Sequence, residues 1–507
     1  MHRPLDLHPE RAVRRDGDLY AIVDIGSNSV RLVVYDKLAR APLPRFNEKS
    51  LCRLGAGLEE TGELAAESFQ RTVEAARRFR AIADAMGVAR IDVLATEAVR
   101  RASNGSALVT AIAAEVGLDV RILTGAEEAY FASMGVISGF YRPMGMVSDM
   151  GGGSLEVAEV LDDQVGERSV SLPLGALPVQ EMLAVHGAAD AKERIDALLK
   201  EKLVASMPEP VLYAIGGGWR ALARVHMAAT VAPVRVAHGY TVEARDLRTF
   251  AKKLWRLPKA KLATLPGVPT RRVSTIAAAA LVLDRLIKRL ASERIVFSAL
   301  GVREGWLYQQ LTEQERYLDP LLEGAQAFGL PQARVPEFAP ALARWTDGLF
   351  PGETHADRRL RVAACALSDI GWRIHPDFRS IDCFERLVQF PFVGLDHMER
   401  VFLAATIHAR HAGSHLDDPR LKPAIDLLPA SSRRRAQILG RAMLVGYRLS
   451  GCVPEILERA RLRIEPDQVR LGVSKRARGP DSEVVGDRLK LLAQAVGVRR
   501  FEIVECP

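Results

Sequence analysis

Two stretches of the 507-residue chain repeat each other. AIVDIGSNSVRLVVYD begins at Ala21 and GMVSDMGGGSLEVAEV begins at Gly145. Superposed, Asp24, Gly26, Ser29 and Arg31 fall on Asp149, Gly151, Ser154 and Glu156. Each copy reads as an apolar strand ending in Asp, a Gly-rich turn with a Ser, and a second strand. Such a turn points several backbone N–H groups at one spot, a nest for an anion such as phosphate. Glycine is needed there because the backbone must approach the anion closely. One turn of this kind is a common hairpin. Two in phase, each behind a strand-end Asp, predict related subdomains facing each other across a phosphate cleft. A third turn, VLYAIGGGWRALARV at 211–225, reads as strand, glycine triplet, helix. Its helix N-terminus offers more free N–H groups to an anion.

Around the repeats, strands and helices alternate. Residues 64–86 carry helical apolar spacing, 91–95 read as a buried strand, and a helix covers about 104–117. A strand at 119–123 and a helix opening near Thr124 follow. The alternation predicts an α/β layer architecture with parallel strands to about residue 310. From about 318 to 463 helices dominate, and the last forty residues return to strand, helix, strand. The expected division is a loose tail over 1–18, subdomains at 19–142 and 143–312, a helical domain at 313–464 and a small α/β segment at 465–507.

Composition places this chain among ordinary globular proteins, with 48% hydrophobic and 26% charged residues. No apolar stretch is long enough to predict a membrane span. The first eighteen residues are polar and lack an apolar core, which argues against a secretory signal. The five scattered cysteines, Cys52, Cys365, Cys383, Cys452 and Cys506, read as reduced thiols, and a cytoplasmic location is expected. The net charge is +8, and from Ser431 onward there are 16 Lys/Arg against 9 Asp/Glu. A basic C-terminal region could attract a long polyanion.

Two phosphate hairpins followed by a strand–Gly–helix turn resemble the superfold shared by actin, sugar kinases and heat-shock ATPases, whose subdomains are ribonuclease H-like. Within it, the sequence is similar to the exopolyphosphatase/guanosine pentaphosphate phosphohydrolase family. The matching stretches are DIGSNSVRL at 24–32, ATEAVR at 95–100, LTGAEEAYFASMGV at 123–136, DMGGGSLE at 149–156, LPLGA at 172–176, GGG at 216–218, LPGVPTRR at 265–272 and GVREGWLY at 301–308. The resemblance implies a Mg2+-dependent phosphohydrolase acting on inorganic polyphosphate or guanosine pentaphosphate. A monovalent cation such as K+ is a second candidate cofactor. A homodimer is implied, and neither a nucleic acid nor a membrane partner is expected.

Hydrolysis of a phosphoanhydride needs charge neutralisation, an oriented water and a proton acceptor. By the family pattern, Asp149 and Glu156 hold the metal, with Asp24 a third acid on the opposite wall. Glu128 is the base that activates water and Glu127 the fallback. Ser27, Asn28, Ser29, Gly151, Gly152, Gly153 and Ser154 would cradle phosphate, joined by Gly216, Gly217 and Gly218. Arg31, Arg100 and Arg303 match positions around the substrate, where a planar guanidinium suits phosphate oxygens.

Two readings compete with hydrolysis. A kinase or ATPase of the same superfold would need room for adenosine, which the bulky Trp219 after the glycine triplet is expected to fill. A non-enzymatic sensor of polyphosphate or alarmone would not need Glu128, Asp149 and Glu156 together. Further on, LSDIGWRIHPD at 367–377 resembles the His-Asp motif of metal phosphohydrolase domains, with Ser368 where the metal-binding His would stand. Hydroxyl cannot replace imidazole there. The helical domain therefore reads as a metal-less relative, and His375, His408 and His411 as helical histidines rather than ligands.

Overall fold

The computed structural model describes residues 3–12, 18–204, 209–412, 417–474 and 483–506. Residue contacts divide the chain into two compact units, Arg15–Arg316 on one hand and Met1–Arg14 with Tyr317–Pro507 on the other.

Arg15–Arg316 holds two sheets of related topology. The first contains β1 (Tyr20–Ile25), β2 (Val30–Tyr35), β3 (Pro44–Ser50), β4 (Arg90–Ala95) and β5 (Val120–Ile122), in the order β3-β2-β1-β4-β5. The second contains β6 (Met144–Met150), β7 (Leu155–Leu161), β8 (Gln164–Leu172), β9 (Val211–Ile215), β10 (Tyr240–Glu243) and β11 (Arg294–Phe297), in the order β10-β11-β9-β6-β7-β8. Parallel pairing joins β1 to β4, β4 to β5, β6 to β9 and β9 to β11. The remaining neighbours are antiparallel, among them the two strand–turn–strand repeats. The cause is local. The tight turns after β1 and β6 send the chain straight back, and only a longer crossover returns it parallel.

β1 and β9 are almost continuously apolar because both faces are covered. Behind the second sheet the helix Ile276–Leu290 supplies Ala278, Ala279 and Ala280, small enough for Trp219 to pack fully buried and donate its indole N–H to the Ala279 carbonyl at 2.9 Å. The helices Gly125–Gly139 and Val302–Gln310 cross at glycines. A Cβ on Gly135 would lie 2.8 Å from Gly301 Cα, and one on Gly305 would strike the Phe131 carbonyl. This backbone-to-backbone crossing fixes the helix that bears Glu128 against the helix that bears Arg303.

In the other unit, helices at Pro320–Gly329, Phe338–Trp345, His355–Leu367, Pro376–Gln389, His397–His411 and Ala430–Ser450 precede a three-stranded sheet. That sheet is β12 (Ala460–Ile464), β13 (Gln468–Ser474) and β14 (Arg500–Cys506), with the helix Glu483–Val496 between its parallel pair. β12 was expected to be helical. Its Ala-Arg-Leu-Arg-Ile alternates buried and exposed along the first four residues, the period of a strand. The N-terminal residues also depart from a loose tail. Arg3 and Leu7 are buried, and Arg3 Nη1 donates to the Leu318 carbonyl at 3.0 Å. Several cations of the basic C-terminal region are already paired, Arg433 with Asp426, Arg435 with Glu353 and Arg470 with Glu502. Among the described residues no helix is long and apolar enough to cross a membrane.

Candidate active site

The two repeats fold into the same turn. Asp24 lies opposite Arg31 across β1 and β2, and Gly26 N–H donates to the Ser29 carbonyl at 3.1 Å. Asp149 lies opposite Glu156 across β6 and β7, and Gly151 N–H donates to the Ser154 carbonyl at 3.0 Å. Each turn is held from behind by its carbonyls. Gly55 N–H donates to the Ser27 carbonyl at 2.7 Å, and Leu177 N–H to that of Gly152 at 2.8 Å. Among the described residues, no backbone partner takes the N–H groups of Ser27, Asn28, Ser29, Gly152, Gly153 or Ser154. The turns approach closely: a Cβ on Gly152 would sit 2.8 Å from that of Ser27. Both line one cleft, open in part to solvent. Gly216, at φ 106°, brings the third turn against Asp149, and Gly216 and Gly217 line the cleft.

Six acidic residues line this space, Asp24, Glu97, Glu128, Asp149, Glu156 and Glu304. Glu128 is buried on the first turn of Gly125–Gly139. Burial, then the negative charges of Asp149 and Asp24, raise its carboxyl to about 7 against the opposing pull of its ion-pair partner Arg100. Burial and Asp24 lift Asp149 to about 6, opposed by Arg220 and Arg303. Glu156 is pushed well above the usual carboxylate range by burial and then by Glu128, although Ser171 donates to it at 2.9 Å. Acids in such a set repel one another and hold protons near neutrality, the condition that a general base or a bound cation exploits.

Residues 33–314 match the Ppx/GppA phosphatase family, and residues 321–504 match the family of exopolyphosphatase C-terminal regions. The chain belongs to the Ppx/GppA phosphatase family. Exopolyphosphatase 1 of Mycobacterium tuberculosis is 29% identical over 309 residues, covering 58% of this chain and 88% of that protein. An exopolyphosphatase structure from Cytophaga hutchinsonii superposes with a TM-score of 0.52 at 23% identity, over 57% of this chain and 97% of the other. The Aquifex aeolicus family member gives a TM-score of 0.50 at 24% identity, over 57% and 96%. The two structural likenesses establish the fold that carries the cleft.

Within this Ppx/GppA cleft the structure gathers Asp24, Ser27, Asn28, Ser29, Arg31, Glu128, Asp149, Gly151, Gly152, Gly153, Ser154, Glu156, Gly216, Gly217 and Arg303. Arg100 stands behind Glu128, bonded to it and to the Leu123 carbonyl. Glu127 is absent from the cleft. Its carboxylate accepts from Thr124 N–H at 2.8 Å and from Arg121 at 2.6 Å, contacts that hold its carboxyl down at about 2. Gly218 is buried against Ala279, away from the cleft. Trp219 lies in the core and lines no part of the cleft. Asp24 is taken up by Arg303 at 2.9 Å, and the Ser27 hydroxyl by Glu97 at 3.0 Å.

Sequence reasoning missed Lys49, Glu97, Arg220, Arg272 and Glu304, all of which line the cleft. Glu97, Arg272 and Glu304 stand inside the family-like stretches ATEAVR, LPGVPTRR and GVREGWLY, the sequence signal for their place. Glu304 accepts from Gly301 N–H at 2.9 Å and Tyr35 OH at 2.8 Å. Burial opposes its charge, but these donors and Arg303 hold its carboxyl below the ordinary value. Arg220 is half-buried on the first turn of Gly217–Ala229 and reaches the Ala299 carbonyl at 3.0 Å.

Proposed function

We propose that this Ppx/GppA chain is an exopolyphosphatase, releasing terminal orthophosphate from inorganic polyphosphate. The observation that carries the reading is the meeting of a buried, proton-seeking Glu128 with two turns whose N–H groups, among the described residues, take no backbone partner, in one cleft. The terminal phosphate lies between the turns, its oxygens accepting from the N–H groups of Asn28, Ser29, Gly153 and Ser154. Arg303 and Arg31 offset its charge. Glu128 takes the proton of the attacking water on a carboxylate oxygen as the new P–O bond forms. The bridging P–O bond breaks, and its electron pair leaves on the shortened chain. Arg100 keeps Glu128 oriented and ionised enough to accept that proton.

The donor set fits Mg2+. Asp149 and Glu156 offer carboxylate oxygens, with Asp24 across the cleft. Among the described residues no three metal-ligating side chains converge. Mg2+ prefers such a place, held by one or two carboxylates plus water and substrate phosphate. When bound, it neutralises charge on the phosphate being transferred.

The helical unit is read as a His-Asp-type domain without its metal. The Ser368 hydroxyl is held by Tyr447 OH at 2.7 Å, and Asp369 by Arg334 and Arg410 at 2.8 and 3.1 Å, which supports a silent domain.

Phosphate release from long-chain polyphosphate and from guanosine pentaphosphate, side by side with Mg2+ and with EDTA, tests the reading. Mg2+-dependent release at far higher efficiency from polyphosphate is expected. Release from the nucleotide alone would move the assignment to alarmone hydrolysis, for which the cleft-lining Arg31 speaks. Release from neither would favour a sensor.

A further inference from the structure

Cations in and beside the cleft are spent unevenly. Arg303 pairs with Asp24, and Arg100 with Glu128. Among the described residues, Lys49, Arg224, Arg271 and Arg272 form no ion pair with a carboxylate. Their placement makes this costly. Lys49 on β3 lies directly opposite Arg31 on β2, and like charges facing each other across an antiparallel pair are destabilising. Arg272 lies against Gly217 at the cleft wall. Arg271 is its neighbour in the short 3-10 turn Thr270–Arg272 and is exposed. Arg224, exposed on Gly217–Ala229, lies beneath the same loop, since a Cβ on Gly267 would sit 2.9 Å from its carbonyl oxygen.

These groups feel one another. Burial, then Arg272, Arg271 and Arg31, push the Lys49 ammonium down to about 8. Burial and Arg271 lower Arg224 as well. A row of cations that repel each other, beginning inside a phosphate cleft and continuing beyond it, matches a partner whose negative charge also runs in a row. A linear phosphate polymer has that form. Guanosine pentaphosphate does not, because its phosphates are divided between two ends of a nucleoside.

We propose that Lys49, Arg271 and Arg224 carry the phosphates behind the terminal one, so that the polymer leaves the cleft along the wall formed by β3 and the 265–272 loop. The proposal rests on the exopolyphosphatase reading for the position of the terminal phosphate. It moves selection for long chains from the basic C-terminal region to Arg15–Arg316.

The test uses the full chain with Arg224→Ala and Arg271→Ala combined, and reads equilibrium binding of long-chain polyphosphate and of tripolyphosphate over a salt series. Affinity for the long chain should fall about tenfold, and the slope of log affinity against log salt by roughly one to two, as each phosphate-neutralising cation contributes about 0.7–0.9. Tripolyphosphate affinity should stay within about twofold, and the paired lysine replacements should keep most of the slope. Unchanged long-chain affinity, or equal loss for both ligands, would overturn the track. Binding is separate from turnover: unmodified protein that grips the long chain through these residues without releasing phosphate would support the track and defeat the hydrolase reading.

Discussion

Arg100 donates to the Glu128 carboxylate and, with the same Nη1, to the Leu123 carbonyl, tying the proposed base to the end of β5. Burial raises the Glu128 carboxyl, and Arg100 is the main force against that rise. Arg100→Met should therefore lift it further above 7. The base must be ionised to accept a proton, so the acid limb of kcat/KM against pH should move to higher pH. At pH 7 a shift of one pH unit costs up to about tenfold in rate, recovered in part at higher pH. A loss of the same size at every pH would mean that Arg100 acts on substrate alone.

Glu127 closes a capping box with Thr124 on the helix that carries Glu128. Glu127→Ala should lower stability by about 0.5–2 kcal/mol without abolishing turnover, the usual cost of a lost cap. The sign of its pH dependence follows from a carboxyl held at about 2, below its ordinary value. The contribution is complete above about pH 4.5 and fades as pH falls towards 2. The melting-temperature gap between the two proteins should accordingly narrow from pH 6 to pH 3.

Ser171 is a hydroxyl donor to Glu156. Without it, Glu156 should hold its proton more tightly and surrender it less readily to a cation. Ser171→Ala should raise the Mg2+ concentration for half-maximal phosphate release by about tenfold, the scale of a lost outer partner. EDTA should abolish release in both proteins.

Gly175 backs the second hairpin turn. A Cβ there would meet Ser154 N at 2.5 Å and the Gly152 carbonyl oxygen at 2.6 Å. Backbone cannot swing aside as a flexible side chain can. Gly175→Ala should destabilise the protein by about 1–3 kcal/mol and depress kcat, because the turn that holds phosphate must shift. Denaturant unfolding and steady-state kinetics on the same preparation check both effects.

The hairpins were legible because a phosphate turn imposes its chemistry at fixed spacing. Asp24, Gly26 and Ser29 recur as Asp149, Gly151 and Ser154, and each turn closes with its own Gly N–H to Ser carbonyl bond. Lys49, Arg220 and Arg272 were not legible as a group. They come from a strand, a helix and a loop, and only tertiary packing brings them together. The choice between Glu127 and Glu128 lay closer to hand, since Thr124 followed by Glu127 is a capping-box pattern that spends the first acid. Adjacent residues on a helix point about 100° apart, so the second faces elsewhere.

The most direct test of the account is Glu128→Gln, assayed for polyphosphate binding and for Mg2+-dependent phosphate release. The account predicts affinity within a few-fold of the unaltered protein and release reduced by roughly a hundredfold or more, the scale of a lost general base. Release at the unaltered rate would contradict it and remove Glu128 from the chemistry.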